Sequence, residues 1–299
     1  MSEQPKSEDI VAVPLRHPWR WISAALIVLV LGAFVWSLVA SPNINHDIIN
    51  QYLLNFKVFQ AALLTVYLTV VSMAIGALLA TLLAIMKLSS NPVLRIVASG
   101  YIFFFRGTPL LLQVVFWGYL GIIYPKIELG IPFTGMVWFS EPTSMVIGSI
   151  TAGIIALSLN EAAYAAEIVR AGILSVDGGQ TEAAKSLGMS SGYTLRRIVL
   201  PQAMRVIIPP MGNEFISMLK NTSLLQVVAV MELYARTSQI SSQNLAQVEL
   251  LVVAGFWYLV MTTILSIPQS YLERKYGRGF DGQGAGKTRW LGLASKGTP

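Results

Sequence analysis

Long apolar segments constrain this chain more than any other feature of its sequence. Six of them reach the length of about 20 residues that a helix needs to cross the hydrocarbon core of a bilayer. They are Trp19–Ala40, Val58–Met86, Leu94–Tyr124, Thr143–Val169, Gln202–Val230 and Val248–Tyr271. Charged residues make up 12% of the chain, whereas a soluble protein carries about 25%. The sequence therefore predicts an all-α, polytopic membrane helix bundle with no separate soluble domain.

Lysine and arginine are distributed unevenly among the loops that join these segments. With the N-terminus inside, the outer loops contain only Lys57, Lys126 and Arg236, and most other basic residues lie in the inner pieces. Cytoplasmic loops of membrane proteins carry an excess of positive residues, so we expect a multi-pass protein with both termini in the cytoplasm. The first segment is too long for the apolar region of a signal peptide, about 7–15 residues. We interpret residues 19–40 as an uncleaved transmembrane helix.

The composition excludes several functional classes. The basic residues behind the formal charge of +6 are not gathered into a patch, which argues against nucleic-acid binding. The chain has no cysteine, and its two histidines, His17 and His46, lie far from any carboxylate cluster, so we expect no metal site. Residues 284–288 resemble the end of a phosphate-binding loop, but Asp281 stands where that motif needs a glycine. We predict that the chain itself binds no cofactor and does not hydrolyse ATP.

A polar stretch separates the fourth and fifth apolar segments. Its motif residues are Glu182, Ala183, Ala184, Gly188, Ile198, Leu200 and Pro201. Residues 180–187 favour a helix, and Gly188 stands where a helix ends in a left-handed residue. Ser190 or Ser191 is placed to cap a second short helix, and Pro201 suits the first turn of the next membrane helix. We predict a helix–turn–helix on the inner membrane face, where small alanines let a partner approach and Glu182 offers a carboxylate to a basic group.

Polar and charged residues recur inside the fourth and fifth segments. A charge at the centre of a membrane helix costs about 2.5–3.5 kcal/mol on insertion scales, so such residues face a cavity, a partner or the interface. Helical spacing places Asn160, Tyr164 and Glu167 on one stripe. The candidates for a polar substrate pathway are Glu161, Tyr164, Glu167, Asn213, Glu214, Ser217 and Lys220. We expect five of them, Glu161, Tyr164, Glu167, Asn213 and Ser217, to line or border one cavity, and the alternatives are an ion pair of Glu167 with Arg170 and hydrogen bonds between helices.

Two spans contain residues that interrupt a helix. They are Arg106, Gly107 and Pro109 in the third segment, and Pro209 and Pro210 in the fifth. Prolines remove backbone donors and kink or break helices, and the freed backbone groups are tolerated only within protein or beside a water-filled cavity. The guanidinium of Arg106 has two candidate partners, a structural carboxylate such as Glu214 and a substrate carboxylate, and we favour the structural one.

Four stretches together resemble the permease subunits of bacterial ATP-binding-cassette importers of the polar amino-acid uptake family. They are residues 105–110, residues 163–172, the motif loop, and residues 213–224. The loop is specific for the importer class, and the other stretches are similar to permeases for histidine, glutamine, arginine, cystine and opine-like substrates. The resemblance implies a type I ABC importer permease fold, with a five-helix core at residues 55–275 and one extra N-terminal helix at 19–40. Residues 1–18 and 276–299 would be cytoplasmic tails, the second of them flexible and basic.

The resemblance also implies partners and a place in the cell. The chain would be the membrane-spanning subunit of an ATP-driven importer for polar or charged amino acids in the bacterial cytoplasmic (inner) membrane. The coupling loop, at about residues 171–200, would convert ATPase closure into alternating access. The implied partners are a cytoplasmic ABC ATPase dimer that binds ATP and Mg, a second permease subunit (self or sister chain), an extracytoplasmic solute-binding protein and membrane lipid. The alternatives are an importer of another small polar solute and an ion-coupled secondary transporter in which Glu161 and Lys220 carry protons.

Overall fold

The computed structural model describes residues 18–131, 134 and 136–277. The predicted tails, apart from Pro18, Tyr276 and Gly277, and the stretch at 284–288 lie outside the described residues. Two compact units divide the chain, residues 1–46 and 47–299. The first contains helix α1 (Pro18–Val39), whose 22 residues are long and apolar enough to cross a membrane, as the sequence predicts.

The second unit is built mainly from helices that follow one another with short connections. They are α2 (His46–Leu53), α3 (Phe56–Leu88), α4 (Pro92–Gly107), α5 (Leu110–Gly118), α6 (Leu120–Ile123), α7 (Thr143–Val146), α8 (Ser149–Leu174), α9 (Gly178–Ser186), α10 (Ser191–Thr194), α11 (Leu200–Asn221), α12 (Leu233–Asn244) and α13 (Gln247–Gly277). A π-helical stretch, Leu195–Val199, precedes α11, and a 3₁₀ stretch, Thr222–Val228, follows it. Helices α3, α8 and α13 are long and apolar enough to span a membrane, and α4 with α5 forms a bent fourth candidate.

The third apolar segment is broken where the sequence predicts. Helix α4 ends at Gly107 and α5 starts at Leu110, and the two axes differ by 100°. Pro109 has the extended backbone (φ −60°, ψ 133°) of a residue that begins a new helix. The prediction of a break at this point is confirmed.

The fifth segment differs from the prediction. Helix α11 runs without interruption from Leu200 to Asn221 through Pro209 and Pro210, so the expectation of a break there is wrong. Each proline deprives only one carbonyl, four residues earlier, of its helical donor. Packing of α11 against α3, α8 and α13 holds the helix through this gap. Because α11 is not among the candidate spans of the described residues, the sixth predicted crossing stays a prediction.

Helices α3 and α8 form the centre of the second unit. They pack along each other through small residues, and several alanines of α8, among them Ala162, Ala163 and Ala166, are fully buried. Small side chains let two helix backbones approach closely, which is how helices associate where lipid removes the hydrophobic driving force. Helices α4, α5 and α11 pack against α8 and bring their polar residues next to those of α8, and α13 packs on α11 and α12.

A β-hairpin that was not expected from the sequence lies between α6 and α7. Strands β1 (Lys126–Gly130) and β2 (Val137–Pro142) pair antiparallel, with Leu129 opposite Phe139 and Glu128 opposite Ser140. The strands are short, and β2 carries consecutive apolar residues instead of an alternating pattern, so periodicity does not reveal it.

Candidate functional site

A polar cavity lies where the end of α4 meets α8 and the end of α11. Its volume is about 430 Å³, enough for a small polar solute. Its polar lining residues are Arg106, Thr108, Asn160, Glu161, Tyr164, Glu214 and Asn221. Of the seven residues that the sequence proposes for a substrate pathway, Glu161, Tyr164 and Glu214 meet here.

Glu161 is the most deeply placed charged group of this cavity. Only 5% of its surface is exposed, and its Oε1 atom is buried without a hydrogen-bond partner. Its side chain packs against Gly76 of α3, where an added Cβ would lie 2.9 Å from the Glu161 Cγ. A buried carboxylate oxygen without a partner is costly, so this atom is an available acceptor for a cationic or N–H-bearing ligand.

Arg106 and Glu214 supply the other charges. The guanidinium carbon of Arg106 lies 5.2 Å from the ring centroid of Tyr164, a cation–π contact. Arg106 attracts the Glu214 carboxylate electrostatically, but among the described residues these two side chains form no direct ion pair. The structural role that we favoured for Arg106 therefore stays a prediction, supported by the attraction to Glu214 but not by a direct ion pair between these two residues.

Amide side chains stabilise the break between α4 and α5. Gln113 Nε2 donates to the carbonyl oxygens of Phe105 (3.0 Å) and Thr108 (3.2 Å), and Asn160 Nδ2 donates to Phe105 O (3.1 Å) and to Gln113 Oε1 (3.2 Å). Backbone groups freed by a break at membrane depth need such partners. Gln113 was missed in the sequence because one glutamine in an apolar run carries no periodic signal.

The remaining four pathway candidates do not line this cavity, so the expectation of one shared cavity needs correction for Glu167, Asn213 and Ser217. Glu167 Oε1 binds Lys87 Nζ at 2.6 Å, and Glu167 Oε2 binds Arg170 at 2.9 Å, which is the ion-pair alternative. Asn213 Oδ1 accepts from Gln269 Nε2 of α13 at 2.6 Å. Asn213 and Glu214 are adjacent and so point about 100° apart around the helix, toward different neighbours. Ser217 and Lys220 share the side of Asn213 by helical spacing.

A larger cavity of about 680 Å³ lies between α3, α11 and α13. Its lining is almost entirely apolar, with Met73, Met204, Ile208 and Phe215 among its residues. An amino acid would leave its charges unpaired there, so this space does not suit a polar solute.

The motif loop forms the predicted helix–turn–helix. Helix α9 is capped by Asp177, whose side chain accepts from Gly179 N at 2.8 Å, and it is followed two residues after its last residue by Gly188, whose φ is +76°. Two hydrogen bonds close this end as a Schellman motif, from Gly188 N to Lys185 O (2.9 Å) and from Met189 N to Ala184 O (3.0 Å). The predicted positive φ is confirmed.

The remaining loop residues differ in exposure. Glu182 and Ala183 are exposed, whereas Ala184 is buried. Ser190 occupies the cap position of α10, but its side chain makes no capping hydrogen bond. Leu200 and Pro201 begin α11, as predicted, and Ile198 belongs to the π-helical stretch. Glu182 is therefore free to meet a partner, while Ala184 anchors the helix.

Comparison with known proteins identifies the kind of chain that has this architecture. Residues 76–278 match the family model described as binding-protein-dependent transport system inner membrane component. The chain belongs to this family. It is thus a membrane-embedded transport subunit, and in such systems ATP hydrolysis lies in a separate ATPase subunit.

Individual relatives show which members of this family the chain is similar to. The chain is 47% identical over 281 residues to the arginine transport system permease protein of Corynebacterium glutamicum, covering 92% of this chain and 85% of that one. It is 39% identical to the L-cystine transport system permease protein of Bacillus subtilis, covering 72% and 84%. A solved amino acid ABC transporter crystallised with histidines matches at 36% identity with a TM-score of 0.60, covering 73% of this chain and 94% of that one. The resemblance to permeases of amino-acid importers and the predicted type I importer fold are both confirmed.

Proposed function

We propose that this chain is the permease subunit of an ATP-driven importer for amino acids with cationic side chains, and that the Glu161 cavity holds the substrate during transport. The observation that carries the proposal is the buried, unpartnered Glu161 Oε1 beside a second carboxylate, Glu214. The amino-acid substrates named for the relatives support the same class.

Charge complementarity favours a cationic amino acid. With both carboxyl groups ionised, Glu161, Glu214 and Arg106 give the cavity a net charge of −1. An amino acid with a basic side chain carries a net charge of +1, because its two cations exceed its one carboxylate. Arg106 is placed to receive the substrate carboxylate, and Glu161 and Glu214 are placed to receive its cations. A neutral amino acid would leave one cavity carboxylate uncompensated, which is costly in a partly buried site.

Replacing the central carboxylate by its neutral isostere tests this function. In proteoliposomes containing the permease, its ATPase and its binding protein, Glu161→Gln should lower arginine uptake by about 10–150-fold, since one charge-assisted hydrogen bond of about 1.5–3 kcal/mol is lost. Glutamine uptake should fall less. The matched control is Glu141→Gln, an exposed glutamate of β2.

The binding protein also selects substrate, so a direct measurement is needed. Equilibrium binding of radiolabelled arginine to the purified permease–ATPase complex, without the binding protein, should weaken in Glu161→Gln and not in Glu141→Gln. Unchanged uptake and binding in Glu161→Gln would refute the role of this cavity.

The motif loop is the proposed contact with the ATPase. Its coupling residues are Glu182, Ala183, Ala184, Gly188, Ile198, Leu200 and Pro201. The exposed Glu182 carboxylate and the rigid Schellman turn support a loop on the inner membrane face that transmits ATPase closure to the membrane helices. Glu182→Lys should reduce co-purification of the ATPase and its substrate-stimulated hydrolysis, whereas Glu141→Lys should change neither. Wild-type values for Glu182→Lys would contradict the coupling role.

The remaining features of the proposal concern assembly and topology. A second permease subunit, two ATPase subunits and an extracytoplasmic binding protein complete the transporter. Both termini are cytoplasmic, α1 is an additional membrane helix outside the core at 55–275, and α11 with the 3₁₀ stretch makes the sixth crossing. The basic residues concentrated on the side of the motif loop support this orientation.

A further inference from the structure

The hairpin of β1 and β2 exposes apolar side chains on both of its faces. Trp138 is 73% exposed, Leu129 60% and Val137 50%. Leu129 pairs with Phe139, so these two share one face, and Trp138 points to the other. A hairpin in water normally keeps at least one polar face, whereas the described residues Met136–Phe139 of this one are all apolar and exposed.

Charge is confined to the half of the hairpin that joins the helices. Lys126 and Glu141 lie near the ends next to α6 and α7, and Glu128 lies at the middle of β1, opposite Ser140. The eleven residues from 129 to 139 contain no charged residue. The hairpin is thus polar where it joins the helices and apolar farther along.

Both ends of the hairpin join short helices that connect it to candidate membrane spans. Strand β1 begins three residues after α6, and β2 ends directly before α7, which leads into α8. A strand of five residues spans roughly 17 Å, so the apolar part is within that distance of the helix ends. The adjoining α6 residues, Ile122 and Ile123, are also largely exposed, which extends the apolar surface toward the membrane.

We propose that this apolar part of the hairpin, Leu129 together with Met136–Phe139, inserts into the headgroup and acyl boundary of the bilayer. Tryptophan and other amphipathic rings favour this boundary. A solute-binding protein would cover the hairpin only while it is docked on the permease. At all other times this charge-free surface would face water. A bilayer covers it permanently. Assignment to the outer leaflet rests on the proposed topology, but membrane contact itself does not.

Spin labelling tests the insertion directly, because the chain has no native cysteine. Single variants Met136→Cys, Trp138→Cys and Glu128→Cys would carry a nitroxide in the complete permease–ATPase complex in lipid nanodiscs. Collision rates with oxygen, which concentrates in lipid, and with a water-soluble nickel chelate report the depth of each label. Met136→Cys keeps Trp138 in place, and Glu128→Cys is the control in the charged half of the hairpin.

We expect labels at 136 and 138 to collide at least threefold more with oxygen, relative to nickel, than the label at 128. Nickel accessibility at 136 and 138 equal to that at 128 would show a hairpin in water and overturn the proposal. Low collision with both reagents would show a protein-covered hairpin and would also overturn it. None of these measurements depends on transport, so a failed substrate proposal would leave this result interpretable.

Discussion

Glu232 provides the sharpest test of how the second unit is held together. It precedes α12 and is completely buried, at 0% exposure. Its Oε1 accepts from Ala235 N at 2.8 Å, and its Oε2 accepts from the Tyr258 hydroxyl at 2.9 Å and the Thr65 hydroxyl at 3.3 Å. One carboxyl group thus joins α3, α12 and α13.

Glu232→Ala would remove the acceptor of the two shortest of these hydrogen bonds, those donated by the Ala235 N–H at 2.8 Å and the Tyr258 hydroxyl at 2.9 Å. Thr65 would still donate to Ala61 O at 3.1 Å. At about 2 kcal/mol for each of the two bonds, the loss is about 4 kcal/mol. For a chain of this size, with roughly 2–4 °C per kcal/mol, the melting temperature should fall by about 8–16 °C.

Glu232→Gln should cost under about 1 kcal/mol, because the amide oxygen still accepts from Ala235 and Tyr258 can turn to accept from the amide. Burial raises the pKa of Glu232, although hydrogen bonds from the backbone of Ala235 and Tyr234 and from the hydroxyls of Tyr258 and Thr65 lower it. The neutral form is therefore preferred more in the folded protein than in water. Its contribution to stability is full below the ordinary carboxyl pKa and declines as pH rises through the raised one.

Thermal unfolding of the purified complex in detergent, followed by size-exclusion chromatography of the soluble fraction, measures these shifts. Exposed Glu141→Ala is the control and should unfold as wild type does. Equal melting temperatures for Glu232→Ala and Glu141→Ala would refute the bridging role. A loss in Glu232→Gln as large as in Glu232→Ala would refute the reasoning about charge.

Three further perturbations test the site and its energy source. Gly76→Ala places a Cβ 2.9 Å from Glu161 Cγ and 3.2 Å from Ser158 O, so arginine uptake should fall several-fold, whereas Gly100→Ala, with open space around it, should transport normally. Gln113→Leu leaves the carbonyls at the α4–α5 break unpaired and should lower the melting temperature by roughly 4–12 °C, from about 2–3 kcal/mol; an unchanged value would contradict the amide network. Uptake should stop on ATP depletion and persist when the proton gradient is collapsed, and the reverse pattern would favour a secondary transporter.

Local features were predictable from the sequence because short-range geometry decides them. The positive φ of Gly188 follows from its place after a short helix, and the break at Pro109 follows from a missing donor next to glycine. Long apolar runs likewise predict α3 and α13 within a few residues. These features depend on the residues themselves and on neighbours within one or two turns.

Only the tertiary structure decided which polar residues meet. Helical spacing put Asn213 and Ser217 on one stripe, yet Glu214, on the adjacent face, is the residue that reaches Glu161. The choice depends on how α11 is rotated against α8 and α13, and the packing of Gly172 and Ala203 at that contact sets this rotation. Lys87 finds Glu167 across 80 positions of sequence, and Glu232 finds Tyr258 across a separate helix. Periodicity identifies the face of one helix, but the partner of that face follows from packing among all of them.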